Sequence, residues 1–233
     1  MSGPKDRASG SEVRGSVIFD LDGTLIDSAP HCTAILNLML AERRTAMRLS
    51  VDQVRPHMIG GGPHMISALL GVRDKALKST LAEFRDRYAA TPTPPDCLYP
   101  GAREALTKLR SSGFRLGIWS NKPQRLCEKA IDELSLDRAF DAVVGTGPAA
   151  PLKPHPAGLD LALRRMGATR TKSCFVGDSE SDYVAARSAG IPMIMITCGY
   201  GDYTENWLGA HLAESLEEAA GLVQMLLPAR SAA

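Results

Sequence analysis

Apolar and polar positions along this chain follow two rhythms. Short runs of β-branched, aromatic and other apolar residues occur at 16–19, 114–119, 140–144, 173–176 and 192–197, each bounded by Gly, Pro, Asn or Asp. Such runs predict buried strands. Between them apolar residues return at helical spacing. Ala105, Leu106 and Leu109 form one stripe that ends before Gly113, and Leu126, Cys127, Ala130, Ile131 and Leu134 form another. Further helices are expected over 155–166, from 178 to 189, and near 215–226. Strands alternating with helices imply an α/β fold, a parallel sheet with helices on both faces.

One stretch breaks the alternation. Ile35, Leu36, Met39 and Leu40 share a helical face behind Ser28 and Pro30, and helical texture continues through 51–58 and 65–70. It resumes with Leu77, Leu81, Phe84 and Tyr88, and no strand is expected over 30–90. The Pro-rich run 91–96 then stops helix continuation. This reading gives a mobile tail over 1–14, a core formed by 15–28 and 96–228, and a small all-helical second domain over 29–95 inserted after the first strand.

Composition adds little beyond exclusions. Lys+Arg 27 against Asp+Glu 26 leaves a net charge of +1, so no global field draws the chain to nucleic acid or an acidic membrane. Cys32, Cys97, Cys127, Cys174 and Cys198 are scattered, with no C-x-x-C pair. That suits reduced thiols in a cytoplasmic protein, with neither disulfides nor a zinc site. No signal peptide or membrane span is read from the sequence.

The polar clusters fall where the strands end. Residues i and i+2 of an extended chain face the same way, so Asp20 and Asp22 can point into one volume, with Gly23 turning the chain. A strand running into an Asp/Gly-rich turn is also ordinary α/β architecture. Asp178 suits a helix N-cap, yet Asp178 and Asp182 lie at i and i+4, where like charges repel. Set beside Asp20 and Asp22, they form an oxygen-only cluster that favours Mg²⁺. Ser120 and Asn121 read either as a helix cap or as an anion site. Lys153, beside Pro154, reads either as a solvated lysine or as a cation facing a phosphate.

In this order, Asp20-Leu21-Asp22-Gly23-Thr24, Ser120-Asn121-Lys122-Pro123, Lys153-Pro154 and Gly177-Asp178-Ser179-x-x-Asp182 resemble the motifs of the haloacid dehalogenase-like hydrolase superfamily. The resemblance implies a Rossmann-like core, a Mg²⁺ cofactor and phosphoryl transfer. Asp20 would be the nucleophile and Asp22 the acid/base. Asp20, the Asp22 backbone carbonyl and Asp178 would hold the metal. Ser120, Asn121 and Lys153 would bind the phosphoryl group, supported by Asp182, Gly177, Ser179 and Thr24. True dehalogenases lack the acid/base aspartate, so Asp22 points to a phosphatase.

Finer features resemble the phosphoglycolate phosphatase-like branch, whose helical insert caps the site: Asp27-Ser28-Ala29-Pro30, Asn121-Lys122-Pro123, Lys153-Pro154-His155-Pro156 and Cys198-Gly199-Tyr200-Gly201. Gly60, Gly61 and Gly62 fall where that branch has a substrate loop, or make a flexible inter-helix turn. His64 and His31 read as substrate contacts or as surface and capping residues. Trp119 stands where a smaller residue is usual, and Ser120 where threonine is commoner. The implied partner is a small phosphate ester, 2-phosphoglycolate first. The alternatives are a sugar phosphate, a nucleotide or pyrophosphate, then a phosphomutase or a non-catalytic binding protein. Neither nucleic acid nor membrane is implied, and the chain would be a monomer or homodimer.

Overall fold

A computed structural model describes residues 13–202 and 207–229. The expected tail over 1–14 lies outside them except for Val13 and Arg14. Among the described residues, six parallel strands form one sheet in the order β3-β2-β1-β4-β5-β6. They are β1 (Gly15–Phe19), β2 (Phe114–Pro123), β3 (Ala142–Thr146), β4 (Ser173–Gly177), β5 (Met193–Ile196) and β6 (Ala210–Ala213). The first strand is therefore central, with β2 and β4 on either side. Phe19 pairs with Ile118 on one side and Val176 on the other, so the chain leaves all three strands at one edge.

Helices α5 (Ala102–Ser111), α6 (Gln124–Glu133) and α9 (Leu216–Leu226) cover one face of the sheet, against Phe19, Leu116, Ile118 and Val176. Helices α7 (Ala157–Met166) and α8 (Glu180–Ala189) cover the other, against Ile18, Trp119 and Phe175. Each fully buried Leu, Ile or Phe among these contributes about 1.5–3 kcal/mol.

Residues 29–90 are helical, with no strand: α1 (Ala29–Glu42), α2 (Val51–Val54), α3 (Gly61–Leu70) and α4 (Asp74–Ala90). They build their own apolar core from Leu36, Met39, Val54, Ile66, Phe84 and Tyr88, with Leu126 of α6 packed into it. The two strands of chain that lead into and out of this insert lie side by side. Asp27 N donates to Cys97 O at 2.7 Å, Tyr99 N donates to Leu25 O at 3.0 Å, and Ile26 bridges Leu98.

Several expected boundaries move. The second strand does not stop at Trp119. It bulges and rejoins β3, with Pro123 paired to Thr146. The third strand starts two residues later than expected, and α7 starts at Ala157, after His155 and Pro156. The edge strand β6 was not expected at all. No helix among the described residues is long and apolar enough to cross a membrane.

Candidate active site

The site is built at the edge where β1, β2 and β4 end. Asp20 follows β1 directly, its backbone N–H donating to Val176 O at 2.8 Å, while its Oδ1 accepts from Leu21 N. Lys153, from the loop before α7, brings Nζ to 2.9 Å from Asp20 Oδ1 and 2.6 Å from Asp182 Oδ1. The ammonium also lies 5.5 Å from the ring centroids of Trp119 and Phe175, within cation–π range. Trp119 thus forms part of the floor under Lys153. Gly158 of α7 leaves room for that indole, because a Cβ there would collide with Trp119 Nε1.

Asp178 follows β4 by one residue. Its Oδ1 accepts from Thr24 Oγ1 at 2.9 Å and its Oδ2 from Tyr200 N at 2.8 Å. A Cβ on Gly23 or Gly199 would collide with this carboxylate, and Gly23 also has φ +88°, so both positions need glycine. Asp178 does not cap α8. Ser179 does, in a reciprocal box: Ser179 Oγ accepts from Asp182 N, and Asp182 Oδ2 accepts from Ser179 N and Ser179 Oγ. Serine wins because its extended backbone, one residue further on, aims its hydroxyl at the third helical N–H. Gly177 lets Asp182 fold back, since a Cβ there would meet the Asp182 side chain.

One oxygen each of Asp20, Asp178 and Asp182 lies within 4.8 Å of the others, all three residues buried. Such a set fits a divalent cation of oxygen preference. Burial pushes the Asp20 carboxyl up to about 6, with Lys153 opposing and Asp182 and Asp22 adding to the rise. Asp178 is raised well above the ordinary range, first by burial and then by Asp182 and Asp20. Both oxygens of Asp182 are occupied by donors, Lys153 on one and the start of α8 on the other.

Asp22 lines the same cavity as Asp20, as its spacing predicts, but has different partners. Its Oδ1 accepts from Ser28 Oγ at 2.5 Å, and Lys122 Nζ donates to Oδ1 at 2.8 Å and Oδ2 at 3.0 Å. Burial opposes the charge on Lys122, but the Asp22 carboxylate outweighs it and holds the ammonium's pKa well above the lysine norm. Ser28 caps α1 by position but makes no capping bond with its side chain. The Tyr200 hydroxyl ties this corner down, accepting from Ser28 N at 2.8 Å and donating to Asp27 Oδ1 at 3.0 Å. Asp27 Oδ2 in turn accepts from Arg55 of the insert at 2.9 Å.

Between sheet edge and insert lies a cavity. Ser120, Asn121, Lys153 and Ser179 line it below, and Gly61, Gly62, Met58, Met65, Phe84 and Tyr88 above. Asn121 Oδ1 is engaged by Lys153 N at 2.7 Å, so its side chain positions the lysine loop. Gly60 lines a neighbouring depression instead, and His64 is exposed, its ring beside that of His57. His31 is buried beside Tyr88 and is not part of this cavity's lining. Cys32 reaches the cavity, but burial pushes its thiol up to about 12, which keeps it protonated and unreactive.

The sequence profile of the haloacid dehalogenase-like hydrolases matches residues 16–190. The chain belongs to that family. A phosphoglycolate phosphatase of Xanthomonas campestris pv. campestris (strain 8004) is 36% identical over 186 residues, 79% of this chain and 84% of the relative. A phosphoglycolate phosphatase of Rhodospirillum rubrum is 35% identical over 206 residues, 84% of each chain. Among solved structures, a haloacid dehalogenase-like family protein of Streptococcus pneumoniae superposes with a TM-score of 0.78 at 22% identity, covering 90% of this chain and 98% of that one. It shares the fold.

Within this hydrolase fold, the side chains that sequence reasoning passed over are Lys122, Ser28 and Tyr200. In the sequence Lys122 is one residue of the Ser120-Asn121-Lys122-Pro123 motif, with no role of its own. Its position at the end of a strand, between Asn121 and Pro123, is the signal that could have found it, since a lysine there cannot easily swing into solvent.

Proposed function

We propose that this hydrolase is a Mg²⁺-dependent phosphatase that acts through an aspartyl phosphate, with 2-phosphoglycolate as its substrate. One observation supports the reading above others. Asp20 and Asp22 stand two residues apart with opposite company, Asp20 against Lys153 and the carboxylate cluster, Asp22 against Ser28 and Lys122. Two carboxylates in such different surroundings suit two different chemical tasks.

In the proposed reaction a carboxylate oxygen of Asp20 attacks phosphorus, forming the Asp20–phosphoryl bond as the ester P–O bond breaks. Asp22 gives the departing oxygen its proton. Asp22 then takes a proton from a water that attacks the same phosphorus, which releases inorganic phosphate and restores the Asp20 carboxylate. Lys153, the Ser120 hydroxyl and the backbone near Asn121 would neutralise and orient the phosphoryl oxygens. Asp20, the Asp22 carbonyl and Asp178 would hold Mg²⁺, with Thr24, Gly177 and Ser179 fixing Asp178 and Asp182. The cation would supply positive charge that draws phosphate toward three carboxylates. Asp182 serves Lys153 and α8.

The helical insert, 29–95, is in this reading a cap that shields the aspartyl phosphate and contributes the substrate wall through Gly61 and Gly62. The partner in this reading is a small phosphate ester, with the chain acting as a monomer or homodimer. Four buried free cysteines suit a reducing cytoplasm. Names and coverage of the curated relatives favour 2-phosphoglycolate over sugar phosphates or nucleotides.

The test is inorganic phosphate release from a panel of phosphate esters, with Mg²⁺ and with chelator, by the natural chain and by Asp20→Asn. Mg²⁺-dependent release, with kcat/KM for 2-phosphoglycolate at least about tenfold above the other esters, supports the assignment. Release undiminished by Asp20→Asn would sink the mechanism.

A further inference from the structure

The proposed chemistry leaves a polar group of the cavity wall unused. The Tyr88 hydroxyl of α4 finds no acceptor among the described residues, although Tyr88 lines the cavity and is 2% exposed. Beside it stands Lys122, whose Nζ lies 4.4 Å from the Tyr88 ring centroid and contacts both oxygens of Asp22. We infer that Lys122 and the Tyr88 hydroxyl together bind a carboxylate on the leaving group, making this enzyme selective for acid esters over neutral ones of equal size.

The argument is geometric and rests on the phosphatase reading of the site. If Asp22 serves the ester oxygen, the leaving group lies beside Asp22, and therefore beside the ammonium that Asp22 already touches. In a two-carbon acid the carboxylate begins two bonds from that oxygen, which brings it to Lys122. An ammonium has three donors. Two are directed at Asp22, and the third is left on the Tyr88 side. The cavity's other lysine, Lys153, is committed to Asp20 and Asp182.

Tyr88 fits the same guest. Its hydroxyl is a donor without an acceptor, and the ammonium next to it cannot accept. A carboxylate can serve both at once. His31, stacked on Tyr88 at 4.5 Å between ring centroids, makes no bond to the hydroxyl, as both its nitrogens lack partners. The remaining wall here is Cys32, Met65, Phe84 and Leu126. These offer a neutral hydroxyl little, whereas a cation against such a wall attracts an anion strongly.

The experiment compares kcat/KM for 2-phosphoglycolate and for 2-hydroxyethyl phosphate, with Mg²⁺, in the natural chain, Tyr88→Phe and Lys122→Met. The natural chain should favour the acid ester. Tyr88→Phe should reduce that preference about tenfold with no loss of melting temperature, because the hydroxyl removed had no acceptor. Lys122→Met should reduce the preference further while also slowing both esters through Asp22. Equal falls on both esters in Tyr88→Phe, or an unchanged ratio, would overturn the inference and leave the phosphatase reading standing. So would a natural chain that hydrolyses both esters equally. Release from no phosphate ester would remove the phosphatase reading, and this inference with it.

Discussion

Lys153 and Asp182 form an ion pair sealed from solvent, with Nζ 2.6 Å from Oδ1 and the two side chains 1% and 0% exposed. Removing one partner of such a pair strands the other, which typically costs about 3–5 kcal/mol. Asp182→Asn keeps the shape and part of the hydrogen bonding, so it should cost roughly the lower figure. Urea titration of the two proteins measures this. A loss near zero would mean that Asp20 alone compensates Lys153.

Chelator and Mg²⁺ should act oppositely on stability. Mg²⁺ at about a hundred times its Kd should stabilise the chain by about 2.7 kcal/mol, raising Tm by roughly 5–10 °C at this size. Asp20→Asn should blunt that response. In chelator the same substitution should raise Tm above that of the natural chain, because burial disfavours the Asp20 charge. Thermal scans with and without Mg²⁺ check both directions.

Gly23→Ala should damage cation binding more than it damages the fold. The new methyl group meets the Asp178 carboxylate at a φ of +88°, so the carboxylate must move or the turn must strain. Expected are a weakening of Mg²⁺ binding by at least tenfold, read by calorimetry, and far-UV circular dichroism like that of the natural chain. Unchanged affinity would show that Asp178 has slack.

Stability should fall in mild acid through His31. Burial, then the charges of Lys122 and Lys129, lowers its pKa from 6.5 to about 4, against smaller opposing effects from Glu133 and Asp22. A folded pKa below the unfolded one means that the unfolded chain binds the extra proton. Stability is therefore full above pH 6.5 and is lost as pH falls toward about 4. At 1.36 kcal/mol per unit the loss is of order 3 kcal/mol. His31→Phe should flatten the pH dependence of unfolding free energy over that window. An unaltered slope would assign the acid limb to other groups.

The sequence exposed what depends on local periodicity. Asp20 and Asp22 stood out because a strand repeats every two residues, and the insert stood out because Leu77, Leu81, Phe84 and Tyr88 repeat on a helix. The edge strand β6 was hidden for a physical reason. Ala210-His211-Leu212-Ala213 lacks β-branched residues, and Leu212 is 52% exposed. Lys122 was hidden because its partner, Asp22, lies 100 residues away. Tyr88 looked like core, and only the fold turns its ring toward a lysine. Trp119 looked like an intrusion until Gly158 and Lys153 were seen on either side of it.

The paired crossing at Asp27–Cys97 and Leu25–Tyr99 makes the insert a cassette. Entry and exit are already adjacent, so a short turn could replace everything between them without opening the sheet. A foreign helical unit of similar span could be spliced at the same two points. In the proposed mechanism the reacting carboxylates belong to the core below that junction, while Tyr88 belongs to the insert above it. Swapping the unit should then transplant the Tyr88 share of the preference, while Lys122 and the carboxylates of the core stay where they are.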